Sequence, residues 1–236
     1  MKRNLAAFGS VLCLLWLSSA GSLEGETWQE ALSRMPLRAS AGEFNRTNCL
    51  PLMLNAFQSN GVVKAVIFMP GATDELDFFR RARPVLAIDH ASLLDAVAAL
   101  TNQTHIQATF QPPLLLLHTT EDPLNVIADV EDESTAAKLR KRIEGDRVLL
   151  IDADWSGVRT ALKGKLGVGL RPFPNALDTW HFYRHNFVAC GATDWEMLET
   201  LALAGKTTFT VNWLTADFKP DRRQGVVPKL DQFPMR

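Results

Sequence analysis

The chain carries no excess of charge of either sign: 25 lysines and arginines face 26 aspartates and glutamates, a formal net charge of −1. Nucleic acids and anionic membranes are held by clustered positive charge, so this balance argues against both as partners. Cysteine is scarce. Of the three present, Cys13 falls in an amino-terminal apolar run, which leaves Cys49 and Cys190, too few and too far apart to read as a metal site. A phosphate-cradling loop is also missing, because Gly164, Gly167 and Gly169 lack the strand and helix that must flank them. No apolar run reaches the ~20 residues that a membrane-spanning helix needs.

The longest such run, residues 5–17, has a different grammar. Lys2 and Arg3 precede it and Ser18, Ser19 and Ala20 follow, the order of charge, apolar core and small residues found in a cleavable secretory signal. Residues 1–20 are read as that signal, with cleavage after Ala20, no membrane span in what remains, and a secreted or periplasmic destination. In such a compartment Cys49 and Cys190 can bridge, closing a loop worth on the order of 4 kcal/mol. Two buried free thiols fit the sequence equally well.

The best-formed local unit is residues 61–83. Residues 62–68 are almost wholly β-branched, aromatic or apolar, as expected of a strand covered on both faces. Pro70 and Gly71 then stop the strand, and Thr73 followed by Asp74, Glu75 and Asp77 has the composition of a capped helix start. The tetrad Gly191-Ala192-Thr193-Asp194 repeats this turn chemistry, with Thr193 and Glu196 at capping-box spacing before a helical pattern to Ala204. Further helices are predicted over residues 27–34, 50–59, 93–101, after the acidic run at 129–133, and over 155–165. Strands are predicted over 85–88, 105–110, 114–117, 148–151 and 207–213. The fold class is α/β: a single layered domain with a central mixed, largely parallel sheet flanked by helices. Residues 21–60 form a helical lead-in arm, 61–213 the core, and 214–236 an extended, partly disordered tail.

Three apolar strands end on polar groups: Asp74 after the first, His118, Glu121 and Asp122 after the second, Asp152 and Asp154 after the third. In open parallel sheets ligands bind beyond the carboxyl ends of the strands, so these groups are candidates for one crevice. A histidine among carboxylates there suits general acid–base work or a hard divalent metal. The same residue types are the ordinary caps and turn formers after a strand, and that reading stands beside the first. His181 and His185 share a face at either helical or strand spacing, but on a strand they lie about 13 Å apart, too far for one ion.

Three family resemblances bear on function. Residues 64–73 resemble the first motif of haloacid dehalogenase-like phosphatases, yet Met69 and Gly71 stand where the two aspartates belong, so that chemistry cannot run there; residues 148–156 supply paired aspartates but place Trp155 where that family has glycine. Residues 112–124 are similar to the strand and loop bearing the acidic triad member of α/β-hydrolases, but no G-x-S-x-G elbow precedes them. Residues 92–110 and 194–211 are each a helix followed by an alternating strand, and aligning Leu94 with Trp195 superposes Val97 on Leu198 and Leu100 on Leu201. This pattern is similar to the small βαβ modules in the periplasmic portions of secretins and TonB-dependent receptors. No complete catalytic set assembles from the residues. The expectation is an exported binding or envelope-associated accessory module with an envelope protein as partner. The alternative is a metal-assisted hydrolase using His118, Glu121, Asp122, Asp152, Asp154 and Asp74.

Overall fold

The computed structural model describes residues 26–69, 83–119, 123–142, 146–172 and 184–221. The signal-like segment, Asp74, Glu121, Asp122 and His181 lie outside these residues. The described chain is mixed α/β, built as two mixed sheets with helices packed against them. Its helices are α1 (Trp28–Ser33), α2 (Cys49–Ala56), α3 (Leu93–Gln103), α4 (Glu133–Leu139), α5 (Trp155–Leu162) and α6 (Asp194–Ala204). Its strands are β1 (Ala65–Met69), β2 (Gln107–Gln111), β3 (Leu114–His118), β4 (Ala128–Val130), β5 (Val148–Ala153), β6 (Gly169–Pro172), β7 (His185–Ala189), β8 (Thr207–Val211) and β9 (Thr215–Pro220).

The first sheet runs in the order β2-β3-β1-β7-β5, the second β4-β8-β9-β6. In the first, only β1 and β3 pair in parallel; β2 with β3, β1 with β7, and β5 with β7 are antiparallel. The single, largely parallel sheet expected from the apolar runs is therefore two sheets of mixed direction. The runs announced burial on both faces correctly. They carry no information on direction, because an antiparallel strand covered by helices on both sides needs the same side chains.

The β1 residues show how both faces are used. Val66 and Phe68 join Leu115, Leu117 and Val188 in an apolar cluster with α1, α2 and α3. Ala65, Ile67 and Met69 join Leu114, Leu116 and Phe187 in a second cluster with α4, α5, α6 and the inner face of the second sheet. Helix α6 packs on β1, β7 and β8, so it lies between the sheets. That position accounts for its burial on nearly all sides, from Met197 and Leu198 to Leu203 and Ala204. Capping boxes start α1 (Thr27 with Glu30), α3 (Ser92 with Asp95) and α6 (Thr193 with Glu196).

Three local expectations are corrected. Residues 85–88 form no strand. The Gln103 side chain holds the Val85 backbone instead, accepting from its N–H at 2.9 Å and donating to its carbonyl at 2.8 Å, as a neighbouring strand would. The tail expected from residue 214 contains β9, paired with β6 and β8 and burying Ala216 and Phe218. Cys49 and Cys190 do not bridge; both thiols are free. Cys49 opens α2, whereas Gly191 lies beside Ser59, beyond that helix's other end. The length of α2 alone is about 10 Å, more than a disulfide can span.

Candidate functional site

The carboxyl ends of β1, β3 and β5 open on one edge of the first sheet, because β1 parallels β3 and β7 reverses between β1 and β5. His118 pairs with Met69, and His185 with Ala153, along this rim. The sheet order β3-β1-β7-β5 then sets the spacing. Three interstrand steps separate His118 from Asp152, about 14 Å at ordinary strand separation. The two share an edge without sharing a centre.

Each described rim residue is also engaged locally. The His118 ring is buried, with Nδ1 donating to the Thr119 carbonyl and Nε2 accepting from Thr109 Oγ1 at 2.8 Å. Those partners fix its tautomer and leave neither ring nitrogen for a ligand. Asp154 is the N-cap of α5, its Oδ1 accepting from the Gly157 N–H at 2.8 Å. Asp152 sits at a bulge in β5 with a φ of 50°, in the left-handed region that aspartate tolerates better than most residues. Its N–H donates to the buried Asn186 side chain at 2.7 Å. Its carboxylate turns outward, 72% exposed and 3.6 Å from Arg184 Nε. Among the described residues, no group of three or more histidine, cysteine, aspartate or glutamate side chains is placed to hold a metal ion. Asn186 and Thr109, which hold the rim in place, went unread in the sequence. Neither has a local signal, because each acts across the sheet.

Two other polar groups are joints of the fold. Asp194, fully buried, accepts from the Gly167 N–H at 2.8 Å and faces Arg142 Nη1 at 3.3 Å; burial raises its carboxyl above the usual range. Glu199 accepts from Trp195 Nε1 at 2.9 Å and is likewise raised, chiefly by burial, while the Arg140 guanidinium lies 4.4 Å above the Trp195 ring. These contacts tie α4 and the loop before β6 to α6.

Open apolar surface lies elsewhere. No described strand pairs with the outer side of β2, so alternate backbone N–H and C=O groups there face outward. Beside that edge runs an open groove of about 500 Å3, lined by Trp28, Leu94, Val97, Ala98, Thr101, Ile106, Gln107 and Ala108. Leu94, Ala98 and Thr101 fall at i, i+4 and i+7 of α3 and are half-buried, a stripe at the flank beside Val97, which is buried at the groove floor, and Leu100, which is buried in the core. Trp28 meets Phe110 of β2 with ring centroids 6.3 Å apart. The strand itself, Gln107-Ala108-Thr109-Phe110-Gln111, has no charge, proline or bulge to deter pairing. A smaller cleft of about 230 Å3 near Arg34 and Arg38 lies by the carboxyl ends of α1 and α2, whose carbonyls disfavour an anion. No protein-family model, curated protein or solved structure matches the chain.

Proposed function

We propose that the protein is an exported, non-catalytic binding module that takes an extended protein segment onto the β2 edge of its first sheet. The observation that carries this reading is the uncharged edge of β2, with which no described strand pairs on its outer side, running beside an open groove. Main-chain hydrogen bonds along such an edge supply affinity, and alternate side chains entering a groove supply selectivity. The rim supports the same reading, since its described polar groups cap a helix, brace a bulge or fill a turn. Export rests on the charge, apolar and small-residue order of residues 1–20.

Peptides selected from a random library for binding to the purified protein, whose first residue after export is Gly21, are expected to slow hydrogen exchange at residues 107–111. Ala98→Arg, which fills the groove, is expected to abolish their binding. Protection confined to residues 184–186 at the rim overturns the reading. So does a metal-dependent hydrolysis of esters or phosphoesters that is lost in both Asp152→Asn and His118→Ala.

A further inference from the structure

We infer that the extended segment taken up by β2 is the β2 strand of a second copy of this chain, giving a two-fold dimer with one sheet continuous across it. This rests on the edge-binding reading above and names the partner.

An antiparallel self-pairing imposes a two-fold symmetry on the strand that makes it. A two-fold axis perpendicular to the sheet, passing midway between the Thr109 residues of two facing β2 strands, sets residue 109+n against residue 109−n of the other copy. The β2 residues meet that condition. Gln107 faces Gln111, Ala108 faces Phe110, and Thr109 faces itself, so amide meets amide, small meets large, and hydroxyl meets hydroxyl. No charge lies on the strand or among the residues lining the groove, so like charges do not meet on the axis. A partner with a charged or uniformly bulky strand gains nothing from this pattern.

The faces agree with the edge. Thr109 is on the face of His118, to which it donates, while Ala108 and Phe110 pack with the cluster under α1, α2 and α3. An axis perpendicular to the sheet keeps like faces on the same side. The Trp28–Phe110 pair and the Leu94, Ala98, Thr101 stripe of one copy therefore approach their own counterparts. Alanine and threonine at the middle and end of the stripe permit close helix approach. Each copy in this way closes the other's groove, and both exposed strand edges disappear.

The register makes the test specific. Sedimentation velocity of the purified protein over a range of concentrations is expected to show a reversible dimer. Gln107→Lys combined with Gln111→Lys places like charges opposite each other twice and is expected to weaken association by at least about tenfold. Gln107→Lys combined with Gln111→Glu places opposite charges there and is expected to restore it. All of these changes are at edge-strand side chains, and circular dichroism checks that each variant is folded. A monomer at every concentration overturns the inference, as does a dimer that ignores both pairs or is weakened equally by both. If the protein is monomeric but a selected peptide still protects residues 107–111, self-pairing fails and the edge-binding reading survives. If no peptide protects them either, both fail.

Discussion

At the scale of single residues, His185 and Gly205 show how a position is dictated by something distant in sequence. His185 begins β7 and is buried against Trp155, with Nδ1 at 3.3 Å from the Ala153 carbonyl. A Cβ added to Gly205, at the end of α6, would stand 2.6 Å from His185 Nε2 and 3.1 Å from the Leu201 carbonyl. Glycine is therefore required at 205 by close approach. The left-handed residue of this helix terminus is Lys206, with a φ of 52°. Gly205→Ala is expected to destabilise the protein by about 1–3 kcal/mol, against the helix propensity of alanine. The loss should shrink when His185→Ala is added, which denaturant midpoints of the four combinations will measure. The same burial lowers the His185 pKa from 6.5 to about 4. The unfolded chain thus binds this proton first, and stability falls as pH drops from about 6.5 towards 4, by on the order of 3 kcal/mol. His185→Asn should remove that part of the slope from a urea series across the same pH range.

At the scale of elements, the parts best read from sequence were those whose signals are local. The serine, threonine and aspartate caps at Ser92, Thr193 and Asp154 mark helix starts in the structure because each satisfies its own first turn. Strand β3 follows from four consecutive leucines that are all buried. The parts that escaped reading are strands defined by their neighbours. Strands β4 and β6 are short and half-exposed, and β9 contains a lysine and ends on a proline; each exists because β8 or β9 offers it a ladder. The helix–strand likeness between residues 92–110 and 194–211 met the same limit. Helix α3 leads to β2 in the first sheet, whereas α6 leads to β8 in the second. Hydrophobic spacing tells which face of a helix is buried, and nothing about which sheet buries it. The candidate site divides likewise: the polar groups that follow three apolar runs were legible, while the strand directions that put those ends on one edge, and the two strands standing between His118 and Asp152, were not. If β9 is as integral as its pairing implies, a chain ending at Leu214 should fail to fold. Phe218→Ala, which empties the space between Trp155 and Phe209, should cost about 3–5 kcal/mol in chemical denaturation. A truncated protein with full stability would make β9 an ornament.

At the scale of the whole molecule, the question is whether two apolar clusters on opposite faces of the first sheet unfold together. The clusters are large and draw on different helices, so independent melting is conceivable on composition alone. The alternation of side chains argues otherwise. In β3, Leu115 and Leu117 enter the cluster of α1, α2 and α3, while Leu114 and Leu116 enter the cluster of α4, α5 and α6. One backbone serves both, and it cannot leave its ladder for one face while keeping it for the other. The half-buried Lys64–Glu196 pair, with Nζ 3.0 Å from both carboxylate oxygens, adds a direct tie from the residue before β1 to α6. Leu115→Ala and Leu116→Ala are fully buried neighbours aimed at opposite clusters, and each is expected to cost about 2–5 kcal/mol. The sharper expectation concerns shape: urea transitions followed by far-ultraviolet circular dichroism and by tryptophan fluorescence should stay coincident in both variants, and both should shift as one. A Leu115→Ala protein that loses helix signal at low urea while Trp155 and Trp195 keep their folded-state fluorescence would show two separable layers. The sheet would then be a surface on which two units are assembled, and pairing through β2 would have to be sought in the layer of α1, α2 and α3 alone.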